Sequence, residues 1–345
     1  MSEQLGRVGQ DSSGRNSLNG EIGLTNWHGW KERFFWAGAV LAAGLFGWAG
    51  TSWAETVNVT LSAKVATVQV ARDDQREAWT FNGSFPGPVI RVKEGDIVHF
   101  TLKNEADRVH SIDFHAARTP WDKHFQGIAS GTETTFTWKA EYPGVFYYHC
   151  GTDPMIQHIA NGMFGAVIVE PRNPLVKADR EYVIVQSEVY SSPFDVDAMM
   201  AGKPKFVVFN GRANRYLDEP LVAKPGELIR LHVINAGPNH FSAFHVIGAV
   251  FDRVYASGNP KNVEYGIQTY TLPPGGGATF DLIIPEEGVY PIVTHSLQDA
   301  LTGAIGAIRV ASEEKAAAVD AEAGEVGSAF ETGARTPGVI GRNGL

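Results

Sequence analysis

The chain contains one cysteine, Cys150, and the residues after it follow a regular spacing: His158 comes after seven intervening residues and Met163 after four more, a Cys-x7-His-x4-Met pattern with His110 well upstream. A thiolate, two imidazoles and a weak thioether form the ligand set of an electron-transfer copper site. One histidine placed early and three ligands on one late loop let a rigid scaffold hold the metal with little rearrangement. A lone cysteine also excludes an internal disulfide. Each of these residues alone could be core filler; the four in this order predict copper.

A second set of histidines is left over. His149 immediately precedes Cys150, and neighbours on a strand point to opposite faces. If Cys150 points into its domain, His149 points out of it. His115 lies two residues beyond Asp113 and is also spare. His245 and His295 occupy matching stations further along the chain. A histidine from that later region meeting His115 and His149 would make a three-histidine site with an open position, suited to holding and activating a small ligand. The single peptide link from Cys150 to His149 would join the two metals by a short covalent path.

The elements that must position these residues read as β-structure. Between residues 56 and 310 the chain is a succession of short alternating runs, among them PVIRVKEGDIVHFTL, GVFYYHC, GAVIVE and ELIRLHVI, punctuated by Gly, Pro and Asn. An internal repeat runs through them. Phe81-Asn82-Gly83 followed by Val92–Asp96 (VKEGD) matches Phe209-Asn210-Gly211 followed by Ala223–Glu227 (AKPGE). HSIDFH, from His110 to His115, matches HFSAFH, from His240 to His245. GVFYYHC matches GVYPIVTHS, in which Ser296 stands at the cysteine's place, so the second copy cannot build a thiolate site. The expectation is an all-β protein of two tandem Greek-key β-sandwich domains, 55–175 and 176–311, joined near 171–180.

Flanking regions differ. Residues 1–54 comprise a polar stretch and the apolar run Phe34–Gly50, preceded by Lys31 and Arg33 and followed by Thr51-Ser52-Trp53-Ala54. This predicts either an export signal with a small-x-small cleavage site or an uncleaved membrane anchor, and a periplasmic or otherwise extracytoplasmic protein. Residues 312–345, rich in Ala, Glu and Gly, read as a disordered tail. Of 345 residues, 43% are hydrophobic and 19% charged, with a net charge of −9. That balance suits two folded domains and argues against nucleic acid as a partner.

HSIDFHAA, YYHC, HIANGMFG, GPNHFSAFHVIG and THSLQDAL with GAIG resemble the copper-containing nitrite reductases, across about residues 57–310. The resemblance implies two tandem cupredoxin-like domains and two coppers per chain. His110, Cys150, His158 and Met163 would be the type 1 ligands and His115, His149 and His295 the type 2 ligands. Asp113 and His245 would be the catalytic proton carriers, and Ile247 the apolar residue over the open coordination position. The implied reaction is one-electron reduction of nitrite to nitric oxide and water, in a homotrimer whose type 2 sites lie between subunits, fed by a c-type cytochrome or a cupredoxin. Two features depart from the family pattern: the Trp121–His124 stretch and His240, where an apolar residue is common. A laccase-type oxidase would need His-x-His pairs, and the sequence has none.

Overall fold

The computed structural model describes residues 54–312 and 339–341; the apolar run Phe34–Gly50 lies outside them. Among the described residues no helix is long and apolar enough to cross a membrane.

Four sheets make two cupredoxin-like sandwiches. In the first, a four-stranded sheet ordered Asp74–Phe81, Thr56–Ala71, Ile97–Asn104, Glu133–Lys139 faces a sheet ordered Val339–Gly341, Val89–Lys93, Phe164–Glu170, Gly144–His149, Asp113–Phe114. Leu61, Phe81, Phe100, Phe114, Tyr148 and Val167 form the core between them. The second sandwich has a six-stranded sheet, with Arg180–Val189, Leu228–Asn235 and Gly277–Ile283 at its centre, and a five-stranded sheet containing Ile305–Val310, Gly288–Thr294 and Ser242–Val246. Ile184, Phe209, Leu231, Phe244, Phe280 and Ile308 fill it.

The sequence repeat is a repeat of topology. In each half the opening strand lies parallel to the strand after the acidic turn: Thr56–Ala71 beside Ile97–Asn104, and Arg180–Val189 beside Leu228–Asn235. In each half the strand before that turn lies parallel to the final one: Val89–Lys93 with Phe164–Glu170, and Glu219–Ala223 with Ile305–Val310.

The repeated turn residues have the same task in both copies. Asn82 (φ 58°) and Asn210 (φ 46°) adopt the left-handed conformation that the Asn-Gly pair tolerates. Their side-chain oxygens accept from the opening strand of their own half, Asn82 from the Ser62 N–H and Asn210 from the Val185 N–H, both at 2.6 Å. Asp96 and Glu227 likewise accept from the backbone N–H three residues back, at Lys93 and Lys224.

A third apolar cluster, including Val89, Val145, Tyr147, Val185 and Ile234, joins the halves. Strands next to it are covered on both faces, which is why Phe164–Glu170 and Leu228–Asn235 are buried almost continuously instead of alternately. Where Arg230 interrupts the second run, its cross-strand partner Asp281 answers with a two-point ion pair at 2.7 and 2.8 Å. The backbones of the halves also meet directly: the Val145 N–H donates to the Ser257 carbonyl at 2.8 Å. Gly258 (φ +68°) permits this approach, because a Cβ there would lie 2.6 Å from the Val145 nitrogen.

Three residues of the C-terminal tail are described. Val339–Gly341 pairs in parallel with Val89–Lys93, adding a strand to the first sandwich. Residues 313–338 and 342–345 lie outside the described residues.

Candidate metal centres

Three of the four sequence-predicted thiolate-site residues converge. His158 Nδ1 lies 3.2 Å from Cys150 Sγ, His110 Nδ1 lies 3.8 Å from it, and the two nitrogens are 3.1 Å apart. Cys150 directly follows the strand Gly144–His149, and His158 lies on the short helix Met155–Ala160. Met163 is fully buried, and its carbonyl accepts from the Cys150 N–H at 2.9 Å, which closes the ligand loop onto the cysteine.

Both imidazoles are kept neutral. Burial, aided by His158 and Arg108, lowers His110 to about 3. Burial and Arg108 lower His158 to about 4. Two neutral imidazoles and a sulfur therefore aim their Nδ1 and Sγ atoms at one shared point, and His110 Nε2 is buried without any hydrogen-bond partner. With lone pairs on the two Nδ1 atoms and a sulfur beside them, such a set is completed by a thiophilic cation at the shared point. The residues fit copper.

The second cluster forms on the opposite face of the same strand. Asp113 and His149 are direct cross-strand partners. His149 Nε2 lies 3.7 Å from Asp113 Oδ2 and 3.2 Å from His115 Nε2. His149 Nδ1 donates to the Cys150 carbonyl at 3.0 Å, so its Nε2 presents a lone pair toward His115. Burial lowers both histidines, with mutual repulsion adding to it at His115. Two facing imidazole lone pairs beside a carboxylate again fit a metal, here one with room for further ligands.

His295 does not join that cluster within one chain; it stands beside His245, ring centroids 5.3 Å apart. The His295 N–H donates to the Ala243 carbonyl at 2.7 Å, which fixes it across from the strand Ser242–Val246. His245 Nδ1 donates to the Gln268 carbonyl at 2.5 Å, leaving Nε2 as its free nitrogen. Ile247 follows two residues later on the same face, and is exposed.

Sequence reasoning missed two kinds of residue. Ser111 donates its N–H to Cys150 Sγ at 3.3 Å; its place next to His110 was a usable signal. Trp79 packs edge-on against His158 with centroids 4.9 Å apart, and nothing in the sequence pointed to it. Of the two departures, Trp121–His124 is a single helical turn with Trp121 exposed and His124 stacked on Phe136.

His240 is tied down at both ring nitrogens. Nδ1 donates to Asp299 Oδ1 at 2.8 Å and Nε2 to the Gly202 carbonyl at 3.0 Å, which makes it an imidazolium. Burial alone would lower its pKa, but these two bonds, with Glu188 and Asp299 as nearby charges, raise it overall. Stability from this group is therefore complete below the unfolded value of about 6.5 and is lost as pH rises through the higher folded value. His240→Asn is expected to lower the chemical-denaturation midpoint clearly at about pH 6 and progressively less toward about pH 9. A pH-independent difference between the two proteins would count against the imidazolium.

Residues 63–174 match the family model described as multicopper oxidase. The chain is 38% identical over 272 residues to the copper-containing nitrite reductase of Neisseria meningitidis serogroup A / serotype 4A, with 75% of this chain and 70% of that one covered. It is 33% identical over 272 residues to the copper-containing nitrite reductase of Pseudomonas chlororaphis, with 69% and 74% covered. The solved copper nitrite reductase from Nitrosomonas europaea superposes with a TM-score of 0.73 at 49% identity, covering 75% of this chain and 95% of that one.

Proposed function

The chain belongs to the copper-containing nitrite reductases, and from that premise we propose how its residues turn nitrite, one electron and two protons into nitric oxide and water. His110, Cys150, His158 and Met163 hold the type 1 copper; His115 and His149, with His295 of a neighbouring subunit, hold the type 2 copper. When bound, copper supplies one-electron redox chemistry at the first cluster and Lewis acidity toward an anion at the second.

The observation that carries this reading is the pair His149-Cys150. Consecutive residues at the end of one strand serve the two clusters, His149 Nε2 on one side and Cys150 Sγ on the other. A single peptide link thus gives a through-bond path between an electron-receiving site and a substrate site.

The chain also supplies two proton carriers for a reaction that consumes two protons. Asp113 Oδ2, beside His149, holds one next to the bound anion and passes it to the departing oxygen. His245, its Nδ1–H committed to Gln268, carries the other at Nε2. Ile247, two residues along on that face, limits by its bulk how the small ligand can lie. Because His295 stands beside His245 and apart from His115 and His149 within one chain, the complete site is shared with a neighbouring subunit in a homotrimer. Exposed apolar side chains next to these histidines support such a covering contact: Phe241 at 58%, Ile247 at 44% and Leu297 at 61% of full exposure.

The domains run 55–175 and 176–311, and Phe34–Gly50 directs the chain across a membrane as signal or anchor. The electron donor is a small redox protein, a c-type cytochrome or a cupredoxin; the net charge of −9 favours a basic one. The test is nitric oxide production from nitrite by copper-loaded protein with an artificial reductant under anaerobic conditions. Copper-dependent nitric oxide is the expected result. Its absence from protein carrying two coppers per chain would redirect the reading to another small oxidant.

A further inference from the structure

Three side chains outside the ligand set roof the thiolate cluster. Trp79 leans its ring edge on His158 and also on His110, at 4.9 and 6.1 Å between centroids. The Trp79 N–H donates to the Asn161 carbonyl at 2.9 Å, which fixes the ring's strand to the ligand loop. The Arg108 guanidinium carbon lies 4.1 Å from the Trp79 ring centroid, a cation–π stacking distance. Phe194, from the second half, meets Trp79 edge-on at 6.4 Å and lies 6.0 Å from the same guanidinium.

The cation has a partner, and the pair is oriented. Arg108 forks onto Asp107 through Nε–Oδ1 at 2.9 Å and Nη2–Oδ2 at 3.2 Å. The Arg108 side chain is 30% exposed and the Asp107 side chain 70%. The positive end thus lies on the aromatic ring in a low-dielectric setting, and the negative end lies in water, where it is screened.

Resting on the assignment of His110, Cys150 and His158 to a redox copper, we propose that Arg108, held on Trp79, is a positioning residue that raises the reduction potential of that centre. Reduction adds one negative charge to the cluster, and a fixed cation nearby stabilises the product more than the starting state. Arginine keeps its charge at every pH the protein meets, so the bias is permanent. Trp79, packed against both histidines, serves as the platform that holds the charge beside the cluster, and Asp107 partly offsets it.

The test is a potentiometric titration of the thiolate-to-copper absorption in the copper-loaded full chain, using redox mediators. Arg108→Gln is expected to make reduction about three- to tenfold less favourable, a tenfold change being about 59 mV for one electron, with the absorption maximum unmoved. Arg108→Lys should recover most of that loss. Asp107→Asn, an exposed substitution, should shift the equilibrium the other way by a smaller factor. Shifts of opposite sign at adjacent residues mark an electrostatic role, which a packing defect does not produce. Unchanged potentials in both variants, or shifts of the same sign, would overturn the proposal while leaving the copper assignment intact. No thiolate-to-copper colour in the copper-loaded parent protein would overturn the assignment and this proposal with it.

Discussion

Cys150→Ala is expected to fold normally, to lose all blue or green colour, and to reduce nitrite at background rate with a protein electron donor. Cys150 is fully buried, but the change removes one sulfur atom, so the packing penalty is of the order of 1 kcal/mol. What disappears is the thiolate that His110 Nδ1 and His158 Nδ1 face at 3.8 and 3.2 Å. The second cluster should survive, because His149 is oriented by the carbonyl of residue 150 and not by its side chain. The variant should therefore bind one copper per chain instead of two. Metal analysis, the visible spectrum and circular dichroism together check this; a coloured, copper-loaded variant would remove Cys150 from the first site.

His245→Ala separates chemistry from metal binding. It is expected to keep both coppers and full colour while turnover falls by about 10²–10⁴-fold, the usual worth of a positioned proton carrier. The Nδ1–H bond to the Gln268 carbonyl leaves one nitrogen, Nε2, to exchange a proton, so no other atom of the side chain can take over the role. Glutamine at this position, which can hydrogen-bond but not titrate, should rescue little. Nitric oxide rates normalised to copper content provide the measurement. Parent-level rates in the alanine variant would assign the second proton to another group, leaving Asp113 as the remaining carrier.

Local chemistry was legible in the sequence wherever ligands crowd one segment. The Cys-x7-His-x4-Met spacing pointed to a single loop, and strand alternation at His149-Cys150 already placed two clusters on two faces. The repeat was legible because both copies need the same residue types for the same turns: Asn for a left-handed backbone with a side-chain acceptor, and an acid to bind the N–H three residues back. The surroundings of the site were not legible. Trp79, Arg108 and Phe194 meet only after three separate segments have folded. His240 looked ambiguous because its partner, Asp299, lies on a helix far along the chain. A three-residue strand inside an Ala- and Gly-rich tail has too few residues to register as a pattern.

The parallel pairings of the first sandwich also set an order of events during folding. Val89–Lys93 has to wait for Phe164–Glu170 before its side of the sheet exists, and pairings so distant along the chain make for slow folding. The ligand loop lies just ahead of that last strand, and the Cys150 N–H is satisfied by Met163 at the loop's far end. A chain in which residues 164–170 have not yet docked thus has the cysteine and both histidines but no rigid pocket to hold them. His110, Cys150, His158 and Met163 nonetheless all precede the second sandwich. Metal capture at the thiolate cluster therefore becomes possible once the first sandwich is complete, whereas His245 and His295 take their places only with the strands of the second.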